Sequence, residues 1–276
     1  SEWFKFLPDD PENRKLLGLA SGDGGLVALP FIEKGRHRLD ALTNWYAFSW
    51  RPLASEGADQ SALLTSLARD LRRRVRRVVM APLPDEDGSA TRLEQAFRQA
   101  GWFVHRTRCD SNHILPIGGR SFAEYLTSRP GMLRTTIARK AKKLSIEIDN
   151  IFHEDTWDIY QRIYNESWKP EEGDPEFLKD FARRESTAGH LRLGIASYNG
   201  EPVAVQFWTV ENGAAYIHKL AHLPESKHLS AGTILTAALL EHVIDRDRVQ
   251  LVDFGTGNDG YKADWMEDIR PRFQLD

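Results

Sequence analysis

Residues 216–265 read YIHKLAHLPESKHLSAGTILTAALLEHVIDRDRVQLVDFGTGNDGYKADW, and the fold turns on this stretch. It divides into a strand, a short basic loop, an amphipathic helix, a buried strand and a glycine-rich turn. Ile234, Leu235, Ala238, Leu239 and Val243 recur at three- and four-residue steps, so one face of the helix packs on a sheet. Ser230 is placed to cap this helix, and Gly232 leaves room for a ligand against the first turn. Lys227 and His228 stand just before the cap. Free N–H groups, the positive end of the helix dipole and these side chains together suit an anionic phosphate. The next strand ends in Asp253-Phe254-Gly255-Thr256-Gly257, followed by Tyr261-Lys262, so a ligand along the helix start meets polar groups from this second loop.

Upstream, residues 191–198, 202–210 and 214–221 are separated by Asn199-Gly200 and Asn212-Gly213. Two Asn-Gly dipeptides between three apolar runs predict an antiparallel meander. Asp174-Pro175-Glu176 predicts a helix start, with a cap, a proline at the first position and an acid in the first turn. Residues 155–168 read as a helix with Trp157, Tyr160, Ile163 and Tyr164 as its apolar members, and residues 146–152 as a strand. Residues 121–145 read as two helices broken at Pro130-Gly131, the second basic with Arg134, Arg139, Lys140, Lys142 and Lys143.

Gly118-Gly119 marks a boundary, which divides the chain into residues 1–119 and 120–276. In the first part, residues 1–20 read as a polar lead-in with one short helix. Strands follow at 25–32 and across the aromatic run 42–53, which holds Trp45, Tyr46, Phe48 and Trp50. Then come a helix over 61–74, a strand over 75–83, a helix over 89–100 and strands over 102–108 and 113–117. Alternation of this kind predicts an α/β (α+β) fold, a mixed sheet with helices on its faces.

The chain has 276 residues, 41% hydrophobic and 28% charged, with a net charge of −3, and its pI is near 6.3. That describes an ordinary soluble protein and argues against a general nucleic-acid binder. Cys109 is the only cysteine, which excludes an internal disulfide and suits a reducing cytoplasm. No apolar run approaches membrane-spanning length, and the start SEWFKFLPDDPENRK has no signal-peptide pattern. Zinc-site spacing, Gly-x-Gly-x-x-Gly, a Walker motif and a Gly-x-Ser-x-Gly elbow are all missing, so metallohydrolase, redox, kinase and serine-hydrolase readings fall away.

Several residues stand out for chemistry. Gln206 sits among apolar neighbours in the second meander strand, where its amide serves either a substrate or the adjacent backbone. His218 is a candidate general base, and Lys219 beside it suits a phosphate or a carboxylate. Asp253 ends a buried strand, where a carboxylate needs a partner or a use; Lys262 is the near cation, in a structural pair or a catalytic role. Glu166-Ser167-Trp168-Lys169, with Glu171 and Glu172, ends a helix at Pro170 and offers an aromatic surface flanked by charge.

The Ser230-Ala231-Gly232 helix start, the Ser167-Trp168-Lys169 segment and above all the ending DFGTGNDGYKADW resemble the GNAT-type acyltransferases of the FemAB-like branch. The resemblance is to the CelD proteins, with a BioF2-like acetyltransferase domain, associated with bacterial exopolysaccharide synthesis. It covers roughly residues 120–270. Ala231 stands where those proteins usually carry proline, and the helix start lacks the Arg/Gln-x-x-Gly-x-Gly/Ala of the wider GNAT family.

The resemblance implies two GNAT-like halves in tandem, a diverged one over 1–119 and an acyltransferase half over 120–276. It implies a cytoplasmic N-acyltransferase taking acetyl-CoA, another acyl-CoA or an acyl carrier protein as donor, without a metal. The acceptor is then an amine, an amino sugar or a lipid-linked sugar intermediate, and peripheral membrane association stays open. Gln206, Lys219, Lys227, Ser230, Ala231, Gly232 and Thr233 face the donor; Glu166, Trp168, Lys169 and Tyr261 face the acceptor. Lys262, Asp253 and His218 carry the reaction, with Lys262 at the oxyanion. Two alternatives remain: a FemX-like transferase using aminoacyl-tRNA, and an inactive GNAT fold serving as a scaffold subunit of a polysaccharide machine.

Overall fold

A computed structural model describes residues 14–22, 25–44, 46–257 and 259–276. The chain divides into two compact units, residues 1–112 with 270–276, and residues 113–269. The division between these units lies at 112/113, close to the Gly118-Gly119 expected from sequence, and residues 270–276 belong to the first unit. The cause is the final strand β12 (Asp268–Leu275), which pairs antiparallel with β5 (Arg77–Leu83) of that unit.

The first unit has a sheet in the order β1 (Lys15–Gly22), β2 (Gly25–Glu33), β3 (Arg38–Ala41), β5, β12, with β4 (Leu53–Ala54) on β2. Helices α1 (Gln60–Arg74) and α2 (Ser89–Gln99) pack together, and Leu64, Leu67, Leu71, Leu93 and Phe97 supply the core. Asp59 caps α1 by accepting from the Ala62 N–H at 3.1 Å.

Three expectations are corrected here. Residues 15–22, read as lead-in, form a strand; the short helix and residues 1–13 lie outside the described residues. The aromatic run 42–53 is loop apart from Leu53, and Trp45 lies outside the described residues. Its aromatics anchor one by one: Trp50 is buried, donates from its indole to the Pro30 carbonyl at 3.0 Å and packs on Phe31. Strands expected at 102–108 and 113–117 are one strand, β6 (Arg106–Pro116), that begins only after a coil at 102–105.

The second unit carries the decisive stretch. Its sheet runs β6 (through its last residues), β11 (Leu251–Thr256), β10 (Ala214–His222), β9 (Glu201–Glu211), β8 (Leu191–Tyr198), β7 (Ser145–Asp149). The meander β8–β9–β10 forms as expected, with Asn199 and Asn212 at φ 51° and glycine next at each turn. Helix α7 (Ala231–Glu241) covers one face, prolonged by one π turn over His242–Arg246. Leu235 and Leu239 sit so close to β8 that a Cβ on Gly194 would come within 3.0 and 2.9 Å of them.

Helices α5 (Glu154–Glu166) and α6 (Pro175–Thr187) cover the other face. Trp157 of α5 and Phe181 of α6 both meet Phe207 of β9 edge-on, at 5.7 and 5.8 Å between ring centres. The Asp174 side chain caps α6 by accepting from the Phe177 N–H at 3.0 Å, and Pro175 opens the helix. Helices α3 (Phe122–Thr127) and α4 (Gly131–Lys140) meet at Pro130-Gly131 as the sequence predicts.

Candidate active site

Strands β10 and β11 lie parallel and pair only through Ala214–Leu251, Ala215–Val252 and Tyr216–Asp253. Both continue, β10 to His222 and β11 to Thr256, but they part. The slot between them is the centre of the candidate site.

A bulge in β10 shapes one wall. The β9–β10 register shifts between Ile217 and Lys219, which sends His218 and Lys219 to the same face. Ile217 joins the core under α7, whereas His218 packs on Phe207 and Phe181 and Lys219 reaches Glu172, all on the α5/α6 side. Lys219 Nζ donates to Glu172 Oε1 at 2.9 Å, with both side chains at or below 10% exposure, and hangs 5.3 Å over the Tyr164 ring. Burial, and then the Glu172 charge, pushes the Tyr164 phenol up to about 12.

His218 does not have the setting of a general base. Its ring lies 5.1 Å from both phenylalanines and its Nε2 is 2.8 Å from Thr209 Oγ1. Burial first, and the Lys219 charge second, push its pKa down to about 3, so the imidazole is neutral at any physiological pH. Alternation from Ile217 puts His218 in the aromatic layer, and the bulge, which local sequence does not announce, adds Lys219 to the same face.

The helix start differs from expectation in one respect. Ser230 does not cap α7 with its side chain; it sits at φ 55°, in the left-handed region, and α7 begins at Ala231. Its hydroxyl instead accepts from Lys140 Nζ at 2.8 Å, and Lys140 also donates to the His228 carbonyl at 2.7 Å. The basic helix α4 thus delivers one ammonium to the α7 N-terminus. Lys227 is exposed in the loop before it, and Thr233 is half-buried in the first turn. A Cβ on Gly232 would stand 3.3 Å from the His222 ring, so the approach here is close enough for a phosphate only without a side chain. This arrangement suits an anionic ligand.

Gln206 is fully engaged beneath this helix. Its amide nitrogen donates to the Gly232 carbonyl at 3.0 Å and to Thr236 Oγ1 at 2.7 Å, and its oxygen accepts from the Trp208 indole at 2.9 Å. It holds the helix start in place instead of facing a ligand.

On the β11 side, Asp253 is buried and accepts from the Gly255 N–H at 2.8 Å. Lys262, 4% exposed, opens the short helix α8 (Lys262–Trp265), donates to the Thr256 carbonyl and lies 3.8 Å from Asp259. Gly257 faces Lys262 Nζ, at 3.5 Å from where its Cβ would be. Asn258 of this turn lies outside the described residues. Tyr261 is partly exposed and packs edge-on against Phe254; burial raises its phenol, with Asp259 adding to the shift.

The segment after α5 bounds the slot. Trp168, 53% exposed, lies 4.3 Å from the His222 ring, and Lys169 Nζ is 5.4 Å from the Trp168 ring. Burial lowers the Lys169 pKa, with Lys219 adding to the drop and Asp259 opposing it. Glu166 is exposed at the end of α5. Thus β10, α7, the 167–172 segment and the β11–α8 turn surround one slot, and Glu166 and Lys227 mark its exposed margins.

Sequence reasoning missed Lys140 and His222 as parts of this site. Lys140 gives no local signal, because a contact across 90 residues of chain brings it to Ser230. His222 was legible: it ends YIHKLAH directly before the loop, and its Nδ1 lies 2.9 Å from the Leu223 carbonyl. Among the described residues, no group of three or more His, Cys, Asp or Glu side chains is arranged to hold a metal. No helix among them is long and apolar enough to cross a membrane.

Residues 131–263 match the family profile described as "Acetyltransferase (GNAT) domain". No curated protein matches the sequence. Among solved structures, the C-terminal domain of a putative lysylphosphatidylglycerol synthetase from Agrobacterium fabrum is similar, with a TM-score of 0.65 and 13% identity over 95% of this chain and 83% of that one. FemX gives a TM-score of 0.65 and 10% identity over 95% and 88%. A tandem GNAT protein from the clavulanic acid biosynthesis pathway gives 0.53 and 15% over 100% and 93%. At such identities these likenesses establish the fold. The profile match makes the chain a transferase with a GNAT-type acetyltransferase domain over residues 131–263.

Proposed function

We propose that this transferase, with its GNAT-type domain over residues 131–263, is an N-acyltransferase that moves an acyl group from an acyl-CoA or acyl-carrier thioester to an amine. The observation that carries the reading is the parting of β10 and β11 beyond Tyr216 and Asp253, beside an α7 N-terminus that Lys140 reaches. The thioester lies in the slot with its phosphates at Ala231, Gly232 and Thr233. Lys140 and Lys227 balance their charge, whereas Lys219, expected at the donor, is held by Glu172 on the α5/α6 side.

A neutral acceptor amine enters past Glu166, Trp168, Lys169 and Tyr261. Its nitrogen bonds to the thioester carbonyl carbon, the C–S bond breaks, and the amine proton leaves with the thiolate as thiol. Lys262 stabilises the oxyanion, and Asp253 sets the turn that presents it. His218 supports the wall without exchanging protons. The first unit is a diverged GNAT-like half. The acceptor is an amino sugar or lipid-linked sugar of exopolysaccharide synthesis, and the reaction takes place in the cytoplasm.

The likeness to FemX and to the lysylphosphatidylglycerol synthetase domain favours a second reading, in which the transferred group is aminoacyl and the donor aminoacyl-tRNA. Thermal unfolding separates the donors, since a ligand that binds only the native state raises the melting temperature. Coenzyme A or an acyl carrier protein should stabilise the wild type and leave Gly232→Trp unchanged. Stabilisation by aminoacyl-tRNA alone moves the assignment to the second reading, and no response to any of the three removes the donor site.

A further inference from the structure

A cavity of about 200 Å³ opens between α5 and α6, lined among others by Trp157, Tyr160, Asn165, Glu171 and Glu172. Its floor is aromatic: Trp157 stacks on Tyr160 at 4.5 Å, and Tyr160 on Tyr164 at 6.0 Å. Asn165 and Glu171 are exposed and form its rim, so the cavity communicates with solvent. It adjoins the slot, because Glu172 in its wall holds Lys219 of β10.

The floor holds a buried donor. Trp157 is 1% exposed, and among the described residues its buried indole N–H has no hydrogen-bond partner. A donor left so costs about 1–3 kcal/mol, and such groups often mark a missing ligand or water. The indole can only donate, so whatever fills the cavity must accept. An ammonium has no acceptor and leaves the N–H orphaned. A phosphate or carboxylate accepts, but it faces the carboxylates of Glu171 and Glu172. A hydroxyl does both: its oxygen accepts from the indole and its hydrogen goes to a carboxylate or to the Asn165 carbonyl. The cavity lies below the usual range for drug-sized ligands and suits one small ring.

We infer that this cavity is a binding subsite for a neutral, hydroxylated ring, a single sugar residue of the acceptor, held by the Trp157 indole N–H. The inference deepens the acceptor side of the proposed function and rests on that reading for its role, though not for its existence.

The test is a titration of the ¹⁵N-labelled protein with methyl β-D-glucopyranoside, followed on the tryptophan indole N–H signals. The Trp157 signal is assigned by its loss in Trp157→Phe or, if that variant does not fold, by its proximity to the Tyr160 ring protons. It should shift saturably, and Trp157→Phe should weaken binding about fivefold, the worth of one hydrogen bond. The same signal should stay put with methylammonium and with acetate. A Trp157 signal unmoved by the sugar overturns the subsite and leaves a cavity filled by water alone; a shift with acetate in place of the sugar overturns the ligand class. Coenzyme A stabilisation is measured in parallel. Sugar binding without a coenzyme A response keeps the subsite and removes the donor reading, and the reverse keeps the donor reading and removes the subsite.

Discussion

The two faces of the second unit's sheet treat buried polar groups in opposite ways. Under α7, Gln206 uses both amide donors and its oxygen on Gly232, Thr236 and Trp208, so the layer beneath the helix is closed and only its first turn is left to a ligand. Under α5 and α6, Lys219 and Glu172 are paired in near-complete burial, His218 is sealed against phenylalanines, and Trp157 keeps an unused donor beside a cavity. Of the two buried layers, the one under α5 and α6 keeps a donor for a ligand. Satisfaction of polar groups, more than hydrophobicity, separates a structural face from a working one.

This contrast can be broken by experiment. Glu172→Ala leaves the Lys219 ammonium buried without its carboxylate and should cost about 3–5 kcal/mol in a urea titration, with Glu172→Gln milder. A loss under 1 kcal/mol would mean that the pair is hydrated and the α5/α6 face open there. Lys262→Met, between the faces in the β11–α8 turn, should lower kcat by about 10²–10³ with little change in donor affinity. If the melting temperature falls while specific activity holds, Lys262 serves the turn and not the oxyanion.

On the closed face, Gln206→Leu orphans the Trp208 indole and should cost about 1–3 kcal/mol. Donor affinity should change only as far as the α7 start loosens; a neutral substitution would show that the network carries no weight.

The His218 environment makes a pH prediction with a definite sign. The folded pKa is pushed down to about 3, below the roughly 6.5 expected when unfolded. Between these values the unfolded chain binds a proton that the native state refuses, so stability falls as pH drops from about 6.5 towards 3. His218→Phe should show a flatter melting-temperature profile in that window and an unchanged one above it. A kcat/KM limb that disappears with this variant would restore His218 as a base. The smallest effect is that of Lys140→Met, which should weaken coenzyme A binding by ~2- to 5-fold in calorimetry with no loss of stability, as expected for one exposed charge at a helix start.

Local chemistry was enough to read the Asn-Gly turns of the meander, the Asp174-Pro175 cap and the three-and-four spacing of Ile234, Leu235 and Leu239, because each depends on residues within a turn of one another. The alternation of strands and helices, and with it the α/β class, followed from the same signals. Tertiary structure decided what long-range pairing controls. The bulge between Ile217 and Lys219 turned Lys219 onto the face that His218 already occupies, and α4 brought Lys140 to a serine that caps nothing. Residues 270–276 joined the first unit, and β10 parted from β11 to open the slot. The physical reason is that a side chain's type sets what it can bond, whereas register and packing set which partner it meets; a one-residue shift in a strand sends the same side chain to the opposite face.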